Sequence, residues 1–384
     1  MANLFFIHTP MQLFMAQQII NQEGLKDNVM VYDYAGANAY YQKTYDMICI
    51  PVMWKRRILN PVRLGWNMTR EKRHFLKSIR DIRHKVKLLE KFVRNENAKA
   101  LYLGDMLNGG YRILAHLFYP KGLTIGFFEE GFSHYTGRVA GKPKLPEIVK
   151  TILIDVFVYL PLYQGCYEYK AKIVDNDVNK IPQTVRYSLI PYYNEPFDRI
   201  VKSELLLSPI LHEYLEKEKI EILKIKQDGE LILFVNEDIC HFAAGINNSI
   251  EEELLKESVF LKSKKESVFL IKFHPAESDE RRKMVAKFFE DNNIKFFILS
   301  KGMNVPVEYY LQMYKFSRIF TYATAVSLYN GYLFPYTNTT RLLDDLLFIC
   351  RRRGIDHTDR LAKIILRLDG IQETLKRGIG NYVR

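Results

Sequence analysis

Apolar runs alternate with helical stretches along this chain, and the alternation constrains the fold more than any other feature. In the first half, the apolar runs predict β-strands at Asn3–His8, Asn28–Asp33, Ile48–Val52, Ala98–Gly104 and Leu123–Phe128. Helical periodicity predicts helices at Met11–Gln22 and Phe75–Phe92. Strands that are separated by helices form parallel, doubly wound sheets. The first half is therefore predicted to be an α/β domain.

The segment Tyr187–Pro196 interrupts the alternation, because it contains two prolines and no helical period. We interpret it as a linker. The alternation then restarts with predicted strands at Glu230–Val235, Ser267–Phe273, Lys295–Leu299 and Ser317–Tyr322, and with predicted helices at Ile250–Lys262, Arg281–Asn292, Val307–Met313, Thr340–Arg352 and Arg360–Arg377. A length of 384 residues suits two domains. We predict the GT-B plan, in which two doubly wound, Rossmann-like domains at residues 1–190 and 200–384 face each other across a cleft.

Positive charge is concentrated in one segment of the predicted first domain. Between Lys55 and Arg94 there are fourteen Lys and Arg residues and three acidic ones, so this segment carries nearly all of the net charge of +12. A solvated helix face normally mixes both signs, so the excess indicates an anionic partner: a lipid surface, a polyanionic glycan or nucleic acid. Few aromatic residues accompany the charges and no nucleic-acid module is present, so we expect no nucleic-acid partner. Arg56, Arg57, Arg73 and Arg80 represent this predicted anion surface.

Other sequence patterns exclude several classes of protein. The four cysteines form no CxxC pair, which argues against a zinc ribbon or a disulfide scaffold. No GxGxxG follows the first strand and no P-loop motif occurs, so dinucleotide-dependent hydride transfer and P-loop chemistry are poorly supported. The triplet Asp175-Asn176-Asp177 resembles a metal-binding DxD motif but is short and common by chance. We expect no metal site.

Membrane-spanning and secreted proteins are also disfavoured by the sequence. The start of the chain lacks the basic lead and the long apolar core of a signal peptide. The most apolar long stretch, Ile148 to Tyr163, is interrupted by Lys150, Asp155 and Pro161 and is too short to span a bilayer. We therefore expect a cytoplasmic protein.

Two short motifs follow predicted strands, one in each half of the chain. Phe128-Glu129-Glu130-Gly131 follows the last strand of the first half, and Phe273-His274-Pro275 follows the second strand of the other half. A residue just beyond the carboxyl end of a parallel strand lies in the crevice where α/β folds bind ligands. A carboxylate that accepts a proton and a histidine that donates one suit a one-step group transfer.

With these motifs, the chain resembles bacterial sialyltransferases of glycosyltransferase family 52, which act on lipooligosaccharide, and the related capsule polysialyltransferases of family 38. The two motifs above resemble the acidic-acidic-Gly and His-Pro motifs of these families. Ile319–Ala325 resembles their Ser/Thr motif, Pro306–Leu311 the acidic segment before it, and Thr9–Leu13 their N-terminal opening. The resemblance extends from the start of the chain to about residue 330.

The resemblance implies transfer of sialic acid from CMP-sialic acid to a glycan hydroxyl, with inversion and without a metal or other cofactor. His274 is implied to stabilise the departing phosphate, with Pro275 beside it. Thr321, Thr324 and Ser327 are implied to supply further donors to the phosphate, and Glu308 to bind the nucleoside. The C-terminal domain would then bind CMP and the N-terminal domain the acceptor. Here Thr324-Ala325 replaces the expected Ser-Gly.

The catalytic base is open between three carboxylates. The polysialyltransferase pattern indicates Glu130 or its neighbour Glu129, whereas the family 52 pattern indicates Asp238, after the first strand of the second domain. The spacing from Asp238 to His274 is longer than usual for family 52. We favour Glu130.

The leading prediction is an inverting sialyltransferase that builds lipooligosaccharide or capsular polysialic acid. Its acceptor is expected to be lipid-linked or polyanionic, and its location to be peripheral, on the cytoplasmic face of the bacterial inner membrane. Two alternatives stay open at this point. One is a GT-B transferase with a glucosyl or Kdo donor, and the other is a non-catalytic glycan- or lipid-binding assembly protein.

Overall fold

The computed structural model describes residues 1–32, 39–59, 84, 87–104, 109–129, 181–190, 195–227, 229–237, 239, 246–260, 266–274, 277–301, 303–322, 324–329, 337–355 and 358–382. The chain divides into two compact units, Met1–Lys202 and Ser203–Arg384. Each unit has its own parallel sheet. The doubly wound α/β prediction is thereby confirmed for both units.

The first unit contains a seven-stranded parallel sheet in the order β3-β2-β1-β4-β5-β6-β7. Its strands are β1 (Ala2–Ile7), β2 (Asn28–Tyr32), β3 (Arg56–Leu59), β4 (Ala98–Leu103), β5 (Thr124–Phe128), β6 (Val185–Ser188) and β7 (Asp198–Ile200). Its helices are α1 (Pro10–Glu23), α2 (Ala39–Ile48) and α3 (Gly109–Phe118), together with helical residues 87–95 and short 3₁₀ turns at Pro51–Met53 and Tyr119–Lys121. The strand order reverses between β1 and β4, which is where such sheets form their ligand crevice.

The second unit contains a five-stranded parallel sheet in the order β10-β9-β8-β11-β12. The strands are β8 (Leu231–Asn236), β9 (Val268–Phe273), β10 (Lys295–Ile298), β11 (Arg318–Thr321) and β12 (Asn338–Arg341). The helices are α4 (Pro209–Lys226), α5 (Asn248–Leu254), α6 (Asp279–Asp291), α7 (Val307–Met313), α8 (Val326–Tyr329), α9 (Leu343–Arg352) and α10 (Asp359–Tyr382), with a π-helix at Leu255–Phe260 after α5. Here the strand order reverses between β8 and β11.

Strands at the centre of both sheets are buried along their whole length, as expected where helices cover both faces. Every residue of β1, β8 and β9 is buried. Phe5 of β1 stacks on Tyr102 of β4 with ring centroids 4.3 Å apart, and Phe269 of β9 lies parallel to Phe320 of β11 at 6.4 Å. All four rings are buried.

Short polar residues start the helices that follow the strands. Thr9 caps α1 by accepting from the N–H of Gln12, and Pro10 occupies the first helical turn. Ser208 and Ser278 cap α4 and α6 in the same way. Such caps satisfy N–H groups that have no partner within the helix, so they set where each chain segment leaves the sheet edge.

Three predicted segments have a different structure. Thr340–Arg352 is predicted as a helix, but Thr340 and Arg341 belong to β12 and α9 begins at Leu343. Ile48–Val52 was expected to be a strand, but α2 ends at Ile48 and Pro51 begins a 3₁₀ turn. Tyr187–Pro196 was interpreted as a linker, but Tyr187 and Ser188 belong to β6, which pairs with β7. The sequence does not predict these short strands, because they contain charged residues. The guanidinium of Arg186 is nevertheless buried: it donates to Asp198 at 2.6 Å and lies over the ring of Phe197.

Candidate active site

His274 lies at the carboxyl edge of the second sheet. It follows Phe273, the last residue of β9, and its side chain is exposed. Its backbone N–H donates to the carbonyl of Asn236, the last residue of β8, at 3.0 Å. Its own carbonyl accepts from the N–H of Glu277 at 3.0 Å. These hydrogen bonds hold the backbone of His274, and its imidazole lies at the end of the sheet where parallel α/β folds bind ligands.

A buried ionic cluster includes Glu277, whose N–H donates to the carbonyl of His274. Arg281 of α6 donates to Glu277 at 2.6 Å and pairs with Glu251 of α5 at 2.5 Å, and all three side chains are buried. The second carboxylate oxygen of Glu277 accepts from the amide of Asn236 at 3.4 Å. Removing one member of such a cluster leaves a buried charge uncompensated, which costs about 3–5 kcal/mol. The cluster thereby ties Glu277 to β8 and to two helices.

The three predicted phosphate-binding hydroxyls do not have equal access to a ligand. Thr321, the last residue of β11, is fully buried and its hydroxyl lies 2.6 Å from that of Thr324. Ser327 is also buried, and its hydroxyl donates to the carbonyl of Thr324 at 2.7 Å. Thr324 itself is half-buried. Thr321 and Ser327 hold Thr324 in place, and Thr324 is the one positioned to meet a ligand.

Glu308, the predicted nucleoside-binding carboxylate, is buried in the first turn of α7. It faces the side chain of Lys272 of β9, whose positive charge it stabilises. The pKa of Lys272 is lowered to about 8, mainly by burial and also by nearby Arg282, while Glu308 and Glu218 oppose the decrease. Lys272 was not predicted as a site residue. The sequence did contain a signal for it, a single charged residue inside the apolar strand Val-Phe-Leu-Ile-Lys-Phe.

The helix that carries Glu308 is anchored by a second buried carboxylate. Glu218 of α4 accepts from the hydroxyl of Tyr310 at 2.5 Å, from the N–H of Ser300 at 2.8 Å and from Tyr214 at 3.0 Å. Burial raises the pKa of Glu218, and these hydrogen bonds oppose the increase. Because Tyr310 belongs to α7, this network fixes the position of Glu308 relative to β9.

In the first unit, Glu129 directly follows β5 and is fully buried. Its carboxylate accepts from the backbone N–H of Leu189 at 2.6 Å, and its own N–H donates to the carbonyl of Tyr187 at 3.2 Å. These contacts join the end of β5 to the chain beyond β6. A carboxylate buried in this way supports the backbone beside the candidate base Glu130.

The reversal point of the first sheet carries a polar group that was not predicted. His8 follows β1, and its Nδ1 lies 3.2 Å from the hydroxyl of Tyr111. Gln12 accepts from the N–H of His8 at 2.7 Å and donates to the carbonyl of Gly104, after β4, at 2.5 Å. A Cβ at position 104 would lie 2.5 Å from the Gln12 side chain, so a larger residue there would displace the Gln12 amide. The sequence signal was a histidine directly after the first strand.

Four of the six described basic residues of the segment Lys55–Arg94 are paired with acidic residues. Arg57 donates to Asp46 at 2.5 Å, and Arg56 forms an ion pair with Glu96. Lys55 pairs with Asp27 at 3.2 Å, and Arg94 pairs with Glu90 at 2.8 Å. Residues 60–83, which include Arg73 and Arg80, hold seven of the fourteen basic residues of this segment and lie outside the described residues.

Several other predicted positions also lie outside the described residues: Glu130, Asp238, Pro275, the triplet 175–177 and the apolar stretch 148–163. Within the ranges that are described, no group of three or more His, Cys, Asp or Glu residues could hold a metal ion. No helix in those ranges is long and apolar enough to cross a membrane.

Comparison with known proteins adds a family and a fold. The family model of alpha-2,8-polysialyltransferases matches residues 3–342. Among solved structures, the chain is similar to the GT-B domain of a sialyltransferase from Photobacterium damselae, with 12% sequence identity and a TM-score of 0.50, covering 98% of this chain and 99% of that one. At this identity the likeness shows the fold, and the predicted GT-B fold of two Rossmann-like domains is confirmed.

Two further structures match with lower TM-scores. A UDP-glucosyltransferase from Polygonum tinctorium has 11% identity and a TM-score of 0.46, covering 98% of this chain and 94% of that one. A UDP-GlcNAc 2-epimerase from Methanocaldococcus jannaschii has 12% identity and a TM-score of 0.45, covering 96% of this chain and 92% of that one. No curated protein sequence matches the chain.

Proposed function

Because the chain belongs to the alpha-2,8-polysialyltransferase family, we propose that it transfers sialic acid from CMP-sialic acid to a hydroxyl of a cell-surface glycan, with inversion at the anomeric carbon. The observation that carries this proposal is the arrangement at the carboxyl edge of the second sheet. There, an exposed histidine follows β9 and a half-buried threonine hydroxyl follows β11, on either side of β8. Both side chains can donate hydrogen bonds to a phosphate.

The proposed reaction is a single displacement. The acceptor oxygen forms a bond to the anomeric carbon of sialic acid while the bond from that carbon to the phosphate oxygen breaks, and its electron pair leaves with CMP. Charge develops on the departing phosphate, so groups that donate to it lower the barrier. His274 donates a proton or hydrogen bond to this phosphate, and Thr324 supplies a second donor.

The proton of the acceptor hydroxyl passes to a carboxylate. We assign this role to Glu130, because Glu129 is fully buried and holds the N–H of Leu189. Asp238 is the remaining candidate from the sequence. No metal is assigned a role, since the imidazole and hydroxyl donors supply the charge stabilisation that a metal would otherwise provide.

The acceptor is proposed to be a polyanionic or lipid-linked glycan. The family to which the chain belongs favours an oligosialyl acceptor over lipooligosaccharide, and the basic segment from Lys55 to Arg94 supports a negatively charged one. An acceptor that is held at the inner face of the cytoplasmic membrane would bring the enzyme to that surface.

The deciding experiment measures CMP release from CMP-sialic acid by the purified protein in the presence of EDTA. Acceptors are galactosyl and oligosialyl glycans, and His274→Ala is the control. Acceptor-dependent release that is lost in the variant supports the proposal. If CMP-sialic acid is not consumed with any acceptor, the proposal is wrong. The same assay with glucosyl and Kdo donors then identifies a GT-B transferase of another class, and inactivity with all donors points to a binding protein.

A further inference from the structure

Lys272 is a buried charge in a strand that is otherwise apolar. The other residues of β9 are Val, Phe, Leu, Ile and Phe, and all of them are buried. Lys272 is 6% exposed. Burying an ammonium group is unfavourable by several kcal/mol unless it is well paired, and an apolar residue of similar size at such a position is usually neutral or stabilising. A lysine at this position therefore indicates a role other than stability.

The ammonium of Lys272 has spare hydrogen-bonding capacity. It can donate three hydrogen bonds. Among the residues that the structure describes, its one hydrogen-bond acceptor is the carbonyl of Phe273, at the long distance of 3.4 Å. Glu218 lies near enough to affect it electrostatically, but the Glu218 carboxylate already accepts three hydrogen bonds from other groups.

The charged groups that face Lys272 come from three helices. They are Glu218 of α4, Arg282 of α6 and Glu308 of α7. Arg282 repels the ammonium, while the two carboxylates attract it. An anion beside Lys272 and Arg282 would be attracted by both positive charges, and Glu218 and Glu308 would offset part of that attraction.

The position of Lys272 matches that of the predicted phosphate-binding group. Lys272 is in register with Val235 of β8, and Val235 is in register with Thr321 of β11. Residues in register on adjacent strands point to the same face of a sheet. Lys272 and Thr321 are two strands apart, about 10 Å between Cα atoms. The carbonyl that the ammonium reaches belongs to the last residue of β9, so the charge lies level with the carboxyl edge.

We propose that Lys272 binds the phosphate group of the nucleotide donor, together with the hydroxyl of Thr324. This assignment rests on the proposed function. It adds to the proposed phosphate-binding residues Lys272 of β9, which lies two positions before His274. The nucleotide phosphate is favoured over the carboxylate of sialic acid because the crevice beside a strand-order reversal is where such sheets bind the phosphates of nucleotides.

The experiment compares the binding of CMP, cytidine, UMP, uridine and sialic acid to the full-length protein by calorimetry. The variants are Lys272→Met, which has a similar length and no charge, and Lys283→Met, a matched control at an exposed lysine of α6. We expect Lys272→Met to weaken CMP binding roughly 10- to 100-fold, as for the loss of a charged hydrogen bond. Cytidine binding should change less than threefold, and Lys283→Met should bind like the wild type.

A pH series on the wild-type protein tests the same assignment without any substitution, so it remains decisive if Lys272→Met does not fold. The pKa of Lys272 is lowered to about 8, and a phosphate monoester carries its second charge above a pKa of about 6. Phosphate binding requires the ammonium form. Above pH 8, CMP affinity should therefore fall by up to about tenfold per pH unit, whereas cytidine affinity should stay constant.

The outcomes separate the role of Lys272 from the identity of the donor. In one outcome the wild type binds UMP better than CMP and better than uridine, and Lys272→Met no longer binds UMP better than uridine. The role of Lys272 then stands and the proposed donor is wrong. If CMP binds more tightly than cytidine by the same factor in the wild type and in Lys272→Met, the proposed donor stands and the role of Lys272 is overturned. The role of Lys272 is also overturned if Lys272→Met loses sialic acid binding while its CMP binding is unchanged. It is overturned as well if the wild type binds neither nucleotide more tightly than the corresponding nucleoside.

Discussion

The carboxyl edges of the two sheets use their polar side chains differently. At the first edge, the described polar groups bond to one another or to the backbone: Glu129 to the N–H of Leu189, Gln12 to the carbonyl of Gly104, and His8 to Tyr111. At the second edge, His274 is exposed, Thr324 is half-buried and Lys272 has one long hydrogen bond among the described residues.

This difference indicates separate tasks for the described residues of the two edges. Bonds to the backbone hold the ends of strands in place, so the described first edge is a rigid support. Exposed or half-buried donors near a strand-order reversal can meet an anionic ligand. We infer that the second edge binds the nucleotide-sugar donor. We also infer that Glu130 is the residue of the first domain that accepts the proton in the reaction.

The largest expected effect distinguishes two neighbouring carboxylates. Glu130→Gln should lower kcat about 10²- to 10⁴-fold, because an amide cannot take up the proton of the acceptor glycan's hydroxyl. Glu129→Gln should retain most activity, since an amide oxygen can still accept from Leu189. Steady-state kinetics on both variants is the measurement. The reverse result would move the base to Glu129 and would make the first edge catalytic rather than supporting.

The next effect compares histidines from both edges. His274→Ala should lower kcat roughly 10²-fold or more, because a donor to the departing phosphate is lost. His8→Ala removes the contact with Tyr111 and should lower stability more than kcat. His212→Ala, at an exposed position of α4, serves as the neutral control. Equal losses of kcat in the His8 and His274 variants would contradict the proposed difference between the edges.

A smaller effect is expected on stability at the first edge. Glu129→Ala leaves the buried N–H of Leu189 without its acceptor and should lower the free energy of unfolding by about 1–3 kcal/mol. Glu129→Gln should cost less. Urea unfolding followed by circular dichroism measures both. Unchanged stability in Glu129→Ala would show that the carboxylate does not support this backbone.

The smallest effect concerns the hydroxyls of the second edge. Thr324→Val should raise KM for the donor about fivefold, as expected for one neutral hydrogen bond of about 1 kcal/mol. Thr339→Val is the matched control, because the Thr339 hydroxyl has no hydrogen-bond partner among the described residues. A donor titration that gives the same KM for Thr324→Val and the wild type would leave His274 and Lys272 as the phosphate ligands.

Much of the second domain was predictable from local sequence patterns. Helix α7 lies at the predicted residues, and β9 begins one residue later than predicted and ends where predicted. Buried strands show as apolar runs, and helices show as periodic patterns with a cap before them. In the first domain, by contrast, the sequence does not predict the short strands β6 and β7, because the ion pair of Arg186 and Asp198 takes the place of apolar residues there.

The site was predictable only in part, because burial and pairing depend on residues far apart in the chain. Thr321, Thr324 and Ser327 were grouped correctly from their spacing, but their hydrogen bonds show that two of them support the third. Lys272 was overlooked because its environment is formed by Glu218, Arg282 and Glu308. No local pattern connects a strand lysine to carboxylates on two other helices.

The sequence by itself determined the α/β class, the division into two doubly wound domains and the placement of His274 and Glu129 after strands. These features follow from apolar periodicity and from residues a few positions apart. Only the tertiary structure decided that Glu129 is tied to Leu189, that Thr324 is the accessible hydroxyl and that Lys272 is buried with spare donors. Each of these depends on solvent exclusion and on contacts between distant segments, which arise when the sheets and helices pack.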